Sequence, residues 1–150
     1  MEIEELEIKI KQSVKKLIFI IGDDLKKKAD FFKDFAQKEN YSFLTFQELM
    51  FALTTIEGDF ADFPSIRDQL IVLITALISK EKTKGVIIDQ FDFDIIIKFQ
   101  VQIRLLQEFK RYPKDPTAKG KLILINYGKP LEDMFESEFI NSCSVIRLQI

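Results

Sequence analysis

Phosphate chemistry is the first chemistry that the residue types and spacing of this chain suggest, through Gly22 and Lys28. A phosphate-binding loop follows the pattern GxxxxGK[ST]: its glycines let backbone N–H groups converge on the anion, its lysine neutralises charge, and its hydroxyl holds magnesium. In this register the chain has Gly22, then Lys27 in place of the second glycine, Lys28 as the lysine, and Ala29 in place of the hydroxyl. At most two of the four key positions are kept.

Two further features of this loop oppose phosphate binding. Lys27 carries a Cβ, so the left-handed backbone angles that glycine adopts freely cost roughly 1 kcal/mol or more there. Asp23 and Asp24 follow Gly22, and a carboxylate about 4 Å from a phosphate charge repels it by about 4 kcal/mol at an effective dielectric of 20. The three neighbouring lysines offset much of this repulsion. We therefore expect Gly22 and Lys28 to be the remains of a phosphate-binding loop, with no cofactor and no bound metal.

The elements that must position these residues alternate between strand and helix along the chain. Apolar runs such as Leu17–Ile21 indicate buried parallel strands, and apolar residues at three- and four-residue spacing indicate helices. The pattern predicts strands at 17–21, 41–45, 85–89, 121–126 and 144–150, helices at 26–38, 47–54, 66–80, 94–111 and 131–139, and a surface loop at 112–120. Such alternation predicts an α/β fold, a doubly wound sheet of five parallel strands with helices on both faces.

Composition and charge narrow the function classes. The 150 residues fit one globular domain, and the net charge of −2 gives no basic field for nucleic acid. The chain has no histidine, so the usual zinc ligand sets are missing. The single cysteine, Cys143, cannot form an internal disulfide and is expected to be a small buried apolar residue. The acidic N-terminus is wrong for a targeting signal, and no apolar run could span a membrane, so we expect a cytoplasmic protein.

The segment 1–16 stands apart from the alternating pattern and is treated as an amphipathic N-terminal extension to a domain at 17–150. One face of a helix would carry Ile3, Leu6, Ile10 and Val14. A strand would instead place Leu6, Ile8 and Ile10 on one side, so periodicity leaves the state open. It also leaves open whether the segment packs on its own domain or docks on a partner.

Two segments resemble a known family. The first, Gly85–Phe93, reads Gly-Val-Ile-Ile-Asp-Gln-Phe-Asp-Phe, and the second, Leu44–Phe51, reads Leu-Thr-Phe-Gln-Glu-Leu-Met-Phe. The adenylate kinase group of nucleoside monophosphate kinases commonly shows Gly-Phe-Leu-Ile-Asp-Gly-Phe-Pro-Arg and Leu-Ser-Thr-Gly-Asp-Leu-Leu-Arg at the corresponding places. In these segments and in the order of its elements, from about residue 15 to residue 150, the chain resembles that group. The resemblance implies a P-loop kinase arrangement with the first strand in a central position.

The same resemblance implies that catalysis has been lost. The family's threonine and two arginines that hold the monophosphate correspond to Phe46, Phe51 and Phe93, which offer neither donor nor charge. Asp89 matches the acid that ends the third strand, so the resemblance adds it to Gly22 and Lys28 as the remains of a nucleotide site, without the Ser/Thr partner that Ala29 replaces. The family's lid has little room here, because only residues 127–143 separate the fourth predicted strand from the fifth. We expect no catalytic residues, and we predict that the three phenylalanines fill the former substrate pocket.

The resulting hypothesis is an inactive adenylate kinase-like pseudoenzyme. It would serve as a structural or docking subunit of a larger protein assembly, with the ciliary axoneme as one setting that the resemblance suggests. The first alternative is a nucleotide-binding or weakly active kinase that uses Gly22, Lys28 and Asp89 with ATP and magnesium. The second is a receiver-like domain, suggested by the paired acids at 23–24, by Asp89, and by Gly128-Lys129-Pro130.

Overall fold

The computed structural model of the chain describes residues 3–22, 29–49, 51, 84–91, 120–127 and 137–148. In chain order its elements are α1 (Ile3–Gln12), β1 (Leu17–Gly22), α2 (Ala29–Glu39), β2 (Tyr41–Thr45), β3 (Gly85–Asp89), β4 (Lys121–Tyr127), α3 (Ser137–Asn141) and β5 (Ser144–Leu148). Residues 46–49 and residue 51 are also helical. The predicted helices at 66–80 and 94–111, and nearly all of the predicted loop at 112–120, lie outside the described residues.

The five strands form one sheet in the order β2-β3-β4-β1-β5, and every neighbouring pair is parallel. This confirms the predicted α/β class and the five-stranded parallel sheet. The middle strand is β4, however, and β1 lies between β4 and the edge strand β5. The expected central position of the first strand is therefore wrong, although β1 does have a neighbour on each side.

The strand order also contradicts the receiver-like alternative. Receiver domains have the order 2-1-3-4-5, which makes the first and third strands neighbours. Here β4 lies between β1 and β3, so the ends of these two strands are separated by two strand spacings of about 4.8 Å each. Asp89 therefore ends a strand that is not a neighbour of β1, whereas the receiver order would make it one.

One face of the sheet is covered by α1 and α2. The sheet contributes isoleucines from four strands, among them Ile20, Ile87 and Ile125, and α2 contributes Phe32, Phe35 and Ala36 at helical spacing. The α1 side chains Leu6 and Ile10, one turn apart, are fully buried in this same cluster. Residues 3–12 of the N-terminal segment thus form a helix that packs on its own sheet, which answers the question of helix or strand that periodicity left open.

The opposite face of the sheet is buried as well. Side chains that alternate with the first set along the strands, including Phe19, Ile88 and Leu124, have no exposed surface. Burial on both faces explains why these strands are continuous apolar runs rather than alternating ones. It agrees with the prediction of a sheet covered on both sides.

The bounds of the predicted strands agree closely with the structure. The predictions for β2 and β3 have the observed ends, β1 and β4 each extend one residue further than predicted, and β5 is described as far as Leu148. The last helix ends two residues later than predicted, at Asn141. Val14 was expected on the buried face of the N-terminal helix, but α1 ends at Gln12 and Val14 is 90% exposed.

Candidate functional site

The sequence-predicted site residues Gly22 and Asp89 lie at the same end of the sheet, the carboxyl ends of β1 and β3. They are not on neighbouring strands, because β4 runs between them. The third predicted residue, Lys28, lies outside the described residues. A polar side chain that the sequence reasoning did not select, Asn126, stands near the end of the intervening strand, in register with Ile21.

Asp89 is almost completely buried, with 1% of its surface exposed. One of its carboxylate oxygens, Oδ1, accepts a hydrogen bond of 2.9 Å from the backbone N–H of Gln90. Gln90 has a φ of 54°, in the left-handed region, and this turns the chain sharply after β3. The next N–H, from Phe91, donates to the carbonyl of Ile125 at 2.9 Å. The segment after β3 is thereby tied to the carboxyl end of β4.

The segment that resembles the family's monophosphate-binding motif forms a helix N-cap. The Oγ1 of Thr45 accepts a hydrogen bond from the N–H of Glu48, and the Oε1 of Glu48 accepts one from the N–H of Thr45, both at 3.1 Å. This reciprocal pair is a capping box, which satisfies two backbone donors at the start of a helix. The polar groups of these two residues are therefore engaged within their own segment.

Phe46, the next residue, closes the carboxyl ends of β2 and β3. Its side chain is 2% exposed, and its ring lies 4.9 Å, centroid to centroid, from the ring of Phe91 at an interplanar angle of 59°. Because Thr45 and Asp89 are partners in the parallel register, Phe46 and Phe91 follow directly from neighbouring strand ends. Of the two rings, Phe46 is at a position that the resemblance predicts to be a monophosphate contact.

The prediction that three phenylalanines fill a former pocket is thus only partly correct. Phe46 is buried as expected. Phe51 is 72% exposed, so its prediction is wrong: it lies beyond the first turn of the helix that Thr45 caps. Phe93 lies outside the described residues. The correspondence of Phe51 to a motif position therefore did not determine whether its side chain is buried.

The sequence contains signals for both features that were missed. The spacing Thr-x-x-Glu at 45–48, directly after an apolar strand, is the signature of a capping box. Asn126 ends an otherwise apolar run, Leu-Ile-Leu-Ile-Asn, and polar residues at the carboxyl ends of parallel strands lie where α/β sheets bind ligands. Asn126 is 3% exposed, so the fold buries its amide beside the end of β1.

The described residues offer little reactive chemistry. They contain no group of three or more histidine, cysteine, aspartate or glutamate side chains that could hold a metal ion. Cys143 is buried, as predicted, and burial raises the pKa of its thiol, with a smaller opposing effect from Ser142. A raised pKa keeps the thiol protonated and unreactive near neutral pH.

Comparisons with known proteins leave the family assignment as a prediction. No protein-family model matches the chain, and no curated protein matches it either. Within the part of the chain that is described, no helix is long and apolar enough to cross a membrane.

Proposed function

We propose that the chain is a catalytically inactive, adenylate kinase-like pseudoenzyme that acts as a docking subunit in a protein assembly. The observation that carries this proposal is the closed carboxyl end of β2 and β3. There, Thr45 and Glu48 form a capping box and Phe46 packs on Phe91. The resemblance would put the monophosphate-binding threonine at Phe46. The ciliary axoneme remains a prediction from the resemblance.

The chemistry of this closed end supports the proposal. Phosphoryl transfer depends on positioned cations and N–H donors around the phosphates. At this end of the sheet the N–H groups of Gln90 and Phe91 donate to Asp89 and to the Ile125 carbonyl, and that of Glu48 donates to Thr45. A phosphate entering here would have to displace hydrogen bonds and separate two phenyl rings.

A nucleotide-binding domain is the second candidate function, and one observation favours it. Asp89 and Asn126 are buried polar side chains at the carboxyl ends of neighbouring strands. The connection from β1 to β2 crosses the sheet in one direction, and the connection from β4 to β5 crosses it in the other. Open α/β sheets bind ligands outside the carboxyl ends of their strands at such a reversal.

Calorimetric titration with ATP, ADP and AMP in the presence of magnesium separates the two candidates. The wild-type chain is compared with Lys28→Ala and with a matched control, Lys33→Ala, on the exposed surface of α2. A pseudoenzyme should give no saturable binding in any of the three proteins. Under the second candidate, Lys28→Ala should weaken nucleotide affinity by about 1.5 to 3 kcal/mol, and Lys33→Ala should leave it unchanged.

Saturable nucleotide binding that Lys28→Ala reduces would overturn the proposal. Phosphotransfer between ATP and AMP would then be measured to distinguish a nucleotide sensor from a weak kinase. Binding that both alanine variants reduce equally would point to nonspecific charge attraction, because Lys33 lies on α2 and not at the loop after β1.

A further inference from the structure

Lysines stand at the start of three neighbouring strands. Lys16 precedes β1, Lys84 precedes β3, and Lys121 is the first residue of β4. Backbone hydrogen bonds join these positions: the N–H of Lys121 donates to the carbonyl of Lys84 at 3.0 Å, and the N–H of Leu122 donates to the carbonyl of Lys16 at 2.7 Å. Because all strands are parallel, the three lysines lie in a row along the amino end of the sheet.

The ends of α1 and α2 add charges to this row. Glu39 binds Lys11 at 2.7 Å and Lys84 at 3.3 Å, and Glu7 binds Lys11 and Lys38, each at 3.1 Å. We define the amino-end patch as the three lysines of the row, the other charged side chains in these ion pairs, and Lys15, which precedes Lys16. Its members are Lys11, Lys15, Lys16, Lys38, Lys84, Lys121, Glu7 and Glu39.

The amino-end patch is basic in an acidic protein. Its six lysines and two glutamates carry a formal charge of +4, whereas the whole chain carries −2, so the remaining residues carry −6. Four of its lysines, at 11, 15, 38 and 84, are exposed. Such a separation of charge creates a local positive field that the net charge conceals.

Lys121 is a partly buried charge of the patch. Its side chain is half-buried, and its ammonium group donates to the carbonyl of Ile10, at the end of α1, at 3.4 Å. No carboxylate of the described residues forms an ion pair with it. Burial lowers its pKa, and the neighbouring charge of Lys84 lowers it further. An anion placed between Lys84 and Lys121 would stabilise the charged form of Lys121 against both burial and repulsion from Lys84.

We propose that the amino-end patch docks an acidic, extended segment of a partner protein across β3, β4 and β1. This inference deepens the proposed docking function and rests on it. An extended peptide places every second side chain on one side, about 6.6 to 7 Å apart. Neighbouring strands are about 4.8 Å apart, so flexible lysines on them can each reach a carboxylate of such a peptide.

Two features favour an acidic peptide over a nucleic acid. Glu7 and Glu39 lie among the lysines and would repel a continuous phosphate backbone, whereas a peptide can place neutral residues beside them. The patch also contains lysine and no arginine, so it lacks the planar fork that pairs bidentately with phosphate. Side-chain carboxylates, by contrast, pair readily with a flexible ammonium group.

The test measures fluorescence anisotropy of a labelled peptide of glutamates and glycines, with a glutamine-for-glutamate peptide as the control ligand. We expect the acidic peptide to bind the full chain with an affinity that salt reduces. Lys84→Gln should weaken binding about fivefold, as for an exposed ion pair, and Lys121→Gln about tenfold or more. Lys33→Gln removes the same charge from a lysine near the Phe43 ring, outside the patch, and should have no effect.

Two additional measurements keep the result decisive. Lys121→Arg keeps the charge and should retain binding, which separates a loss of contact from a loss of folding. Thermal unfolding of every variant identifies any that is destabilised. The proposal is overturned if the acidic peptide does not bind, if Lys33→Gln weakens it as much as Lys84→Gln, or if a single-stranded oligonucleotide binds the patch more tightly. Nucleotide titration is independent of this patch, so failure of the pseudoenzyme proposal would be seen separately.

Discussion

The two ends of the parallel sheet differ in how their polar groups are used. At the carboxyl end, Thr45 and Glu48 bind each other, the N–H groups of Gln90 and Phe91 donate to Asp89 and to the Ile125 carbonyl, and Phe46 packs on Phe91. At the amino end, lysines precede three neighbouring strands; Lys84 among them is exposed, and so are the nearby Lys11, Lys15 and Lys38. Ligand sites of open α/β sheets are expected at the carboxyl end. Here Phe46 and Phe91 pack at the part of that end formed by β2 and β3, and exposed lysines lie at the opposite end.

This difference agrees with the proposed docking function. At the carboxyl ends of β2 and β3, the buried rings of Phe46 and Phe91 stabilise the fold through packing. At the amino end, exposed lysines can contact a partner without disturbing the apolar core. The following predictions test each end in turn.

The largest expected effect is on the closed carboxyl end. Phe46→Ala removes a buried ring and its contact with Phe91, so the free energy of unfolding should fall by about 3 to 5 kcal/mol. Phe51→Ala is the matched control, because the Phe51 ring is 72% exposed and its loss should change stability by less than about 0.5 kcal/mol. Urea denaturation measures both. Equal losses in the two variants would mean that the end is not closed by Phe46.

The next effect concerns the close backbone approach at the amino end. A Cβ on Gly85 would lie 2.0 Å from the carbonyl oxygen of Lys121, which no side-chain movement can relieve. Gly85→Ala should therefore destabilise the chain by on the order of 1 to 3 kcal/mol. Gln90→Gly is the opposite control, since it removes a Cβ from a residue with positive φ, and its effect should be small. A stable Gly85→Ala protein would contradict the register of β3 and β4.

A smaller effect is expected for the capping box. Thr45→Ala and Glu48→Ala should each cost about 0.5 to 2 kcal/mol of stability, because each leaves a backbone donor of the helix start unsatisfied. The double variant should cost less than the sum of the two, since the two hydrogen bonds are reciprocal. Gln47→Ala, an exposed residue of the same turn, is the control. Strictly additive losses would argue against a reciprocal pair.

The smallest effect is the pH dependence of the amino-end patch. Hydrogen bonds from Lys11, then Lys38, hold the pKa of Glu7 below its ordinary value of 4.5, and Lys11, then Lys84, do the same for Glu39. A lowered carboxyl pKa gives stability that is present above pH 4.5 and is lost as pH falls through the folded-state pKa. Hydrogen bonds to Glu39, then Glu7, raise the pKa of Lys11, so its contribution is lost as pH rises above 10.5.

Unfolding followed against pH, at low and high salt, measures this contribution. As the pH falls below 4.5, the double variant with Glu7→Gln and Glu39→Gln should lose less stability than the wild type. Salt should reduce this difference between the two proteins. Identical acid profiles for the two proteins would mean that these ion pairs do not persist in solution.

Periodicity and apolar runs were sufficient to predict the sheet. The segments Leu17–Ile21 and Gly85–Asp89 are buried on both faces, so their composition reports directly on their state. Strand order could not be predicted in the same way, because it depends on which connections cross which strands. The placement of β4 between β1 and β3 was therefore missed, and with it the separation of Gly22 from Asp89.

The site was less predictable than the fold, for a physical reason. A motif position identifies what a residue could contact in a relative, but burial depends on packing in this chain. Phe46 and Phe51 occupy two positions of one matched segment, yet one ring is buried and the other is exposed. No sequence motif predicts that the amino-end lysines lie close together, because their proximity arises from the alignment of parallel strands and not from spacing along the sequence.

The most direct test of this account is a pair of titrations of the uniformly ¹⁵N-labelled chain, followed by amide chemical shifts. Magnesium-ATP should leave the amides of Gln90, Phe91 and Asn126 at the carboxyl end unchanged, and the acidic peptide should shift those of Lys84 and Lys121 at the amino end. Saturable shifts at Gln90, Phe91 and Asn126 with magnesium-ATP would contradict the central claim and identify a working nucleotide site.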